Sequence, residues 1–140
     1  MEMVTLNSNT GIKKVLVAGG AGFIGSNLVN YLLSQECVEK VQVIDNFVSG
    51  SPKNINSMID DERLDLLEMD ITDRSVLKKI RDDFDLVLHL AAIANPTDYE
   101  KMPLETLRVN SIGSRNMIDI ADRSEAKYTF FSSSEVYGNY

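Results

Sequence analysis

The sequence predicts an α/β fold in which helices cover both faces of a parallel β-sheet. Short apolar runs rich in β-branched residues alternate along the chain with segments of helical periodicity. The apolar runs are nearly continuous, which is typical of strands buried on both faces of a parallel sheet. Because the connections between the runs are short, we expect a doubly wound sheet with right-handed crossovers.

The predicted strands are the apolar runs Val15–Ala18, Val41–Ile44, Leu64–Met69, Leu86–Leu90 and Tyr128–Phe131. The order expected for them is 3-2-1-4-5, so the strand order reverses between the first and fourth strands. Ligands of such sheets bind outside the carboxyl ends of the strands at this reversal. The sequence therefore predicts a binding site where these two strands end.

Two of the segments between the strands predict amphipathic helices. Residues 23–36 place on one side the apolar residues Phe23, Ile24, Leu28 and Leu32. In residues 73–84, apolar residues recur at helical spacing: Val76, Leu77, Ile80 and Phe84. Thr72 and Asp73, just before them, are potential helix caps. Residues 47–62 are irregular and predict at most a short helix.

The longest helix is predicted to begin at Pro103, a residue favoured in the first turn, and to end near Arg123. Its buried stripe is predicted to comprise Val109, Ile112, Gly113, Asn116, Met117, Ile120 and Ala121. Gly113 is small enough to allow the helix to approach the sheet closely.

Composition and charge restrict the classes of function. The 140 residues are 44% hydrophobic and 25% charged, which is ordinary for one globular domain. We place an N-terminal extension at residues 1–12 and the domain at residues 13–140. The net charge is −7 without an offsetting basic cluster, which argues against binding to nucleic acid or to an anionic membrane. Backbone groups and local dipoles must therefore hold any phosphate of a ligand.

The cysteine content and the hydropathy indicate a cellular compartment. The single cysteine, Cys37, excludes an internal disulfide and is interpreted as a helix-end residue rather than a nucleophile. The first twelve residues lack the features of a secretory signal, and no apolar run is long enough to span a bilayer. We therefore expect a cytoplasmic protein.

The segment VLVAGGAGFIGSNL places Gly19, Gly22 and Gly25 between a predicted strand and a predicted helix. A phosphate at a helix N-terminus meets unpaired N–H groups and the positive end of the helix dipole. Glycine permits the tight turn, the approach of the phosphate and the close packing of helix on strand. The spacing alone also fits a plain tight turn. Its context predicts a Rossmann-type dinucleotide site that includes Phe23 and Ile24.

Asp45 and Asn46 come at the end of the second predicted strand. Asp45 lies twenty residues beyond Gly25, where a carboxylate accepts hydrogen bonds from the ribose hydroxyls of adenosine. A carboxylate there would repel a 2′-phosphate, and the next basic residue is Lys53. NAD is therefore predicted as the cofactor rather than NADP. The alternative is that Asp45 only caps the turn after the strand.

The ends of the third and fourth strands complete the predicted cofactor site. Asp70 and Ile71 are suited to the edge and the face of adenine. A dinucleotide could lie flat across the small segment formed by Leu90, Ala91 and Ala92. His89, the only histidine, is predicted to be a hydrogen-bonded structural residue, since no cluster of ligands supports a metal site.

Six motifs in this order, GGAGFIG, DN, DITD, HLAA, NSIGSRNM and SSSEVYG, resemble the extended short-chain dehydrogenase/reductase family over residues 13–140. Members of that family modify nucleotide sugars with tightly held NAD. The resemblance implies an NAD cofactor, a UDP-sugar substrate and hydride transfer from sugar C4 to give a 4-keto intermediate. It also implies a homodimer or another form of self-association. Ala18 departs from the family pattern, in which threonine is usual before the glycines.

Within the family, the segment IANPTDYEKMPLETLRVNSIGS and the ending SSSEVYG are most similar to UDP-glucuronate decarboxylases, with UDP-glucose 4-epimerases as relatives. By this resemblance, Ser133 would hydrogen-bond the sugar 4-hydroxyl and Glu135 would lie near the sugar carboxyl group. Pro96 and Tyr99 would shape a substrate loop. Ser134 stands where dTDP-glucose 4,6-dehydratases usually carry an acidic aspartate, which disfavours dehydration.

The family's catalytic base, a tyrosine four residues before a lysine, is absent from the 140 residues. We therefore expect this chain to be the cofactor-binding part of a truncated Rossmann-type enzyme and to be inactive by itself. Its fifth strand is expected to be an unprotected edge that favours self-association. The alternative is a non-catalytic NAD-binding module or one half of a split enzyme.

Overall fold

A computed structural model of the chain describes residues 10–138. Its parallel sheet has the order β3-β2-β1-β4-β5. The strands are β1 (Lys14–Ala18), β2 (Lys40–Asp45), β3 (Leu64–Glu68), β4 (Leu86–His89) and β5 (Lys127–Phe130). The predicted fold class and strand order are confirmed, and each predicted strand end is within one residue of the observed one. Most of the proposed extension, residues 1–9, lies outside the described residues, so that boundary stays a prediction.

The helices are α1 (Phe23–Leu33), α2 (Val76–Lys79), α3 (Pro96–Lys101), α4 (Pro103–Arg108) and α5 (Ser114–Arg123). A π-helical segment, Val109–Gly113, joins α4 to α5, so the long predicted helix extends over the expected range with an irregular turn inside it. The hydroxyl of Ser111 donates to the Leu107 carbonyl at 2.6 Å within this turn. Serine hydroxyls that bond back to the preceding turn bend helices.

The core lies on both faces of the central strand β1. Val15 and Val17 pack on one face, in a cluster that includes Val29 of α1. Leu16 and Ala18 pack on the other face, in a cluster that includes Met117, Ile120 and Ala121 of α5. Full burial of a valine, leucine, isoleucine or methionine side chain stabilises a fold by about 1.5–3 kcal/mol. The alternation along β1 explains why its sequence is apolar at every position from Val15 to Ala18.

The edge strand β5 differs from the prediction that the strands are buried on both faces. Lys127, Thr129 and Phe130 are exposed and Tyr128 is half-buried. Within residues 10–138, β5 pairs with β4 alone. This confirms the expected exposed edge.

Two expectations about the helices are wrong. The helix predicted over 73–84 contains only the short α2, since Ile80 is already extended, although Val76, Ile80 and Phe84 are buried as expected. Ile112 is 40% exposed because the π-helical segment rotates it away from the core. A Cβ at Gly113 would lie 2.6 Å from Cδ1 of Ile71, so the absence of a side chain at Gly113 permits close packing against the loop after β3.

The first helix is also shorter than predicted. It ends at Leu33 rather than at residue 36, so Cys37 lies in the following connection, where it packs partly against the core. Phe23 and Ile24 are 85% and 62% exposed rather than buried with the rest of the apolar side. The irregular stretch 47–62 contains only two 3₁₀ turns, as expected. No helix among residues 10–138 is long and apolar enough to cross a membrane.

Candidate functional site

A cavity of about 690 Å³ opens at the carboxyl ends of the strands, at the predicted reversal of strand order. This volume lies within the range of small-molecule and cofactor sites. Every residue predicted to contact the cofactor lines the cavity: Gly19, Gly22, Phe23, Ile24, Gly25, Asp45, Asn46, Asp70, Ile71, Leu90, Ala91 and Ala92. Phe23 and Ile24 are exposed because the first turn of α1 lies at the cavity.

Gly19 is the point at which the glycine segment contacts the chain after β4. Its φ is +81°, and a Cβ there would lie 2.5 Å from the backbone nitrogen of Ala91. A Cβ at Gly25 would collide with the carbonyl oxygen of Gly19, so α1 also packs closely on this turn. Both the conformation and the packing therefore require glycine.

The N-terminus of α1 is suited to an anion. Gly22 is the N-cap residue, no side chain caps the helix, and no acidic residue lies in its first turn. The first N–H groups of a helix have no intrahelical acceptor, and the dipole adds positive charge there. A Cβ at Gly22 would meet only the Gly19 carbonyl oxygen, at 3.3 Å, so the space beside the helix start is open. This backbone is a fitting cradle for the pyrophosphate of a dinucleotide.

Asp45 is 8% exposed and connects the glycine segment to the end of β2. One carboxylate oxygen accepts the Ala21 N–H at 2.9 Å, and the other accepts the Phe47 N–H at 2.8 Å. An ionised carboxylate has about four acceptor positions, so lone pairs remain for ribose hydroxyls. Asp45 therefore both caps the turn and lines the cavity. The structure is compatible with a turn-capping residue and with a carboxylate that accepts from ribose hydroxyls.

Hydrogen bonds hold the side of the cavity that is predicted to receive adenine. The carboxylate of Asp70 accepts the Thr72 N–H at 2.7 Å and the Asn46 amide at 3.3 Å. The Ile71 carbonyl accepts the Asn116 amide of α5 at 2.7 Å, and Asn116 is 3% exposed. The sequence placed Asn116 in the predicted buried stripe, which its burial confirms, but gave no sign that it holds this loop.

His89 is fully buried at the end of β4. Its Nδ1 lies 2.9 Å from the Tyr128 hydroxyl, and its Nε2 lies 3.2 Å from the Ala91 carbonyl oxygen. Burial lowers the pKa of His89, so the imidazole is neutral near pH 7. His89 is hydrogen-bonded as predicted, and its structural role stays a prediction. No group of three or more His, Cys, Asp or Glu residues that could hold a metal ion occurs within residues 10–138.

The predicted substrate side is only partly brought to the cavity. Ser133 lines it, next to Ser132, beyond the end of β5. Glu135 belongs to a 3₁₀ turn, Ser134–Tyr137, but its side chain lies outside what the structure describes.

Pro96 and Tyr99 lie on α3, where a loop was predicted, and neither lines the cavity. Asn95 and Met102, which flank α3, do line it. The catalytic and substrate roles of these residues stay predictions.

Two charged residues of α4 were missed. Glu105 and Arg108 line the cavity, and Arg108 is the one cationic residue among the lining residues. The only signal in the sequence was the helical periodicity after Pro103, which separates these residues from the apolar stripe. Periodicity alone does not say that the polar face of α4 meets a cavity.

The sheet reversal, the glycine cradle and the carboxylate at the end of β2 define a doubly wound α/β protein with a nucleotide-type site. A family model matches residues 15–140. The chain belongs to the NAD dependent epimerase/dehydratase family.

Curated relatives include two UDP-glucuronic acid decarboxylases. Decarboxylase 3 of Arabidopsis thaliana is 39% identical over 126 residues, which are 90% of this chain and 35% of the relative. Decarboxylase 1 of Danio rerio is 36% identical over 127 residues, which are 91% of this chain and 29% of the relative. The chain thus spans about a third of the length of the curated relatives it matches.

Solved structures share the fold. The UDP-N-acetylglucosamine 4-epimerase of Methanobrevibacter ruminantium M1, in complex with UDP-N-acetylmuramic acid, has a TM-score of 0.78 and is 36% identical, covering 91% of this chain and 40% of that one. The Bordetella bronchiseptica enzyme WbmF, in complex with NADH, has a TM-score of 0.79 and is 30% identical, covering 93% of this chain and 38% of that one.

Proposed function

We propose that this chain binds NAD in the cavity and is the cofactor-binding part of a nucleotide-sugar-modifying enzyme. The observation that carries the proposal is the meeting of an uncapped helix N-terminus and the Asp45 carboxylate in one cavity. The N–H groups at the start of α1 would hold the pyrophosphate, and Asp45 would accept from the adenosine ribose. Bound NAD supplies the capacity to accept and return a hydride.

The substrate class follows from the relatives, whose names specify UDP-glucuronic acid decarboxylases and a UDP-N-acetylglucosamine 4-epimerase. A UDP-sugar would lie on the Ser132 and Ser133 side of the cavity, where the Ser133 hydroxyl would bond a sugar hydroxyl. Glu135, Pro96 and Tyr99 would add contacts to the sugar. The catalytic base of the family, a tyrosine four residues before a lysine, is absent from these 140 residues. The chain is therefore expected to bind NAD without turning over a substrate.

The same absence favours a second candidate, a non-catalytic NAD-binding module or one half of a split enzyme. Mixing the chain with the remaining two thirds of a curated decarboxylase relative, NAD⁺ and UDP-glucuronate tests a catalytic role against the non-catalytic module. Release of CO₂ supports a catalytic role, as part of one enzyme chain or as one half of a split enzyme, and binding without turnover supports the module.

The first test is calorimetric titration of the 140-residue chain with NAD⁺ and, separately, NADP⁺. The wild-type chain is expected to bind NAD⁺ more tightly. Asp45→Asn keeps one acceptor oxygen for the Ala21 or Phe47 N–H and removes the charge. It is expected to weaken NAD⁺ binding by about 1–3 kcal/mol, the range for a lost charge-assisted hydrogen bond. The difference between the affinities for NAD⁺ and NADP⁺ is expected to become smaller.

The matched control is Asp65→Asn, since Asp65 is a strand carboxylate bonded to Gln42 and does not line the cavity. It should leave the affinity for NAD⁺ unchanged. Circular dichroism verifies that each variant is folded. A folded wild-type chain that does not bind NAD⁺ would contradict the proposed function.

A further inference from the structure

The imidazole of His89 bonds to the floor of the cavity. The floor is the segment Leu90–Ala92, which leaves β4 and lines the cavity along its length. Nε2 of His89 lies 3.2 Å from the Ala91 carbonyl oxygen, two residues further along the chain. The Ala91 nitrogen is the atom that a Cβ at Gly19 would approach to 2.5 Å. A shift of the floor would therefore change the contact between the floor and the glycine turn.

The hydrogen bonds determine which nitrogen of His89 carries the proton. A carbonyl oxygen only accepts, so Nε2 must be the donor to Ala91. Nδ1 of the neutral ring is then an acceptor, and the Tyr128 hydroxyl, 2.9 Å away on β5, donates to it. Burial lowers the pKa of His89 and raises the pKa of Tyr128, which keeps this arrangement of protons near neutral pH.

Two further neighbours of the imidazole, Ser114 and Phe130, are uncharged. The Ser114 hydroxyl of α5 lies 3.5 Å from Nδ1 and donates at 2.8 Å to the Asn110 carbonyl. The ring of Phe130 meets the imidazole edge to face, with centroids 5.1 Å apart. The backbone of His89 also contacts the opposite side of the cavity, since its carbonyl accepts the Phe131 N–H at 3.0 Å. Phe131 is followed by Ser132 and Ser133, which line that side.

We infer that His89 is a positioning residue for the cofactor site. The Tyr128 hydroxyl selects the Nε2–H tautomer, and that N–H holds the Ala91 carbonyl so that Leu90–Ala92 stays against Gly19. The inference rests on the proposed function, because the ligand for which the floor is held is the dinucleotide. A residue that merely filled the core would support folding without affecting affinity.

The tautomer can be measured directly, because His89 is the only histidine in the chain. In the ¹⁵N-labelled protein, the two imidazole nitrogens are expected to show the shifts of a neutral ring protonated at Nε2. Tyr128→Phe removes the donor to Nδ1 with little loss of volume and is expected to give a mixture of tautomers. Unchanged nitrogen shifts in this variant would overturn the role of Tyr128.

Affinity for NAD⁺ separates positioning from packing. His89→Leu fills the core but leaves the Ala91 carbonyl unpaired and is expected to weaken NAD⁺ binding by about tenfold. His89→Gln carries a donor at the reach of Nε2 and is expected to recover most of that loss. Val38→Ala is the control, since Val38 is 1% exposed and does not line the cavity. It should lower thermal stability without changing the affinity.

Each outcome has a distinct meaning. Tyr128→Phe is expected to weaken NAD⁺ binding less than His89→Leu, because the Nε2–H tautomer is then only partly populated. Binding by the wild type, weaker binding by the His89→Leu and Tyr128→Phe variants and recovery by His89→Gln support the inference. Equal affinities of the folded variants would overturn it and leave the proposed function standing. Failure of the wild-type chain to bind NAD⁺ overturns the proposed function, and the inference with it. If His89→Leu does not fold, the Tyr128→Phe variant decides: weakened NAD⁺ binding supports the inference, and wild-type affinity overturns it.

Discussion

At the scale of single residues, Gly19 and Gly11 both have positive φ, but only Gly19 is closely packed. Comparing them distinguishes the cost of backbone conformation from the cost of packing. Gly19 has φ +81° and is surrounded by the backbone of residues 90 and 91, whereas Gly11 has φ +68° and nothing within 4 Å of its would-be Cβ. A side chain at Gly11 would meet only the conformational cost of the left-handed region. A side chain at Gly19 would also displace the cavity floor.

We predict that Gly19→Ala lowers the free energy of unfolding by about 2–5 kcal/mol, as about 1–2 kcal/mol of conformational cost adds to about 1–3 kcal/mol of overpacking. Gly11→Ala should lose about 1–2 kcal/mol, the conformational cost alone. Urea denaturation measures both. Only Gly19→Ala should also weaken NAD⁺ binding. Equal destabilisation by the two substitutions would show that the close contact with Ala91 is unimportant.

At the scale of elements, α5 contributes more than apolar packing to the fold. Asn116 on its buried face donates to the Ile71 carbonyl and so attaches the loop after β3 to the helix. The preceding π-helical segment brings Gly113 against the same residue, Ile71. One helix thereby fixes the side of the cavity predicted to receive adenine.

Asn116→Ala is expected to lower the free energy of unfolding by about 1–3 kcal/mol, because it leaves the buried Ile71 carbonyl without its donor. The matched control is Asn27→Ala on α1, where an exposed asparagine amide donates to the Phe23 carbonyl at 2.8 Å. A surface change of this kind costs within about 0.5 kcal/mol. Thermal and urea unfolding of both variants measure the difference. A similar loss in the two variants would contradict the attachment.

At the scale of the whole molecule, the sheet has one strongly exposed edge. β5 pairs with β4 on one side, and three of its four residues are exposed within the described part of the chain. Edge strands with free backbone groups and apolar side chains template pairing with another chain. The net charge of −7 opposes association at low salt and does so less as salt screens it.

We therefore predict that the 140-residue chain self-associates, more strongly at high than at low ionic strength. Sedimentation velocity over a range of protein concentrations and salt measures the association. Thr129→Lys adds a charge to the exposed edge and is expected to shift the chain towards the monomer. Ile59→Lys, at an exposed apolar position away from β5, is the control for charge alone. A monomeric wild-type chain at all concentrations would contradict this prediction.

The sequence by itself determined the fold class and the strand order, and it predicted twelve residues that line one cavity. Apolar runs of strand length and a glycine turn before a helix are local patterns, and parallel topology brings the ends of the strands to one edge. For the same reason, Gly19, Asp45 and Ala91 could be assigned to one site although they are far apart in the chain.

Only the tertiary structure decided how the site is held together. The bonds from Asn116 to Ile71 and from His89 to Tyr128 and Ala91 depend on where separate elements pack, which periodicity does not encode. The same limit explains the exposed Phe23 and Ile24, apolar residues at a helix start that face a cavity rather than the core. Local pattern specifies which side chains avoid water, whereas packing specifies which polar groups meet.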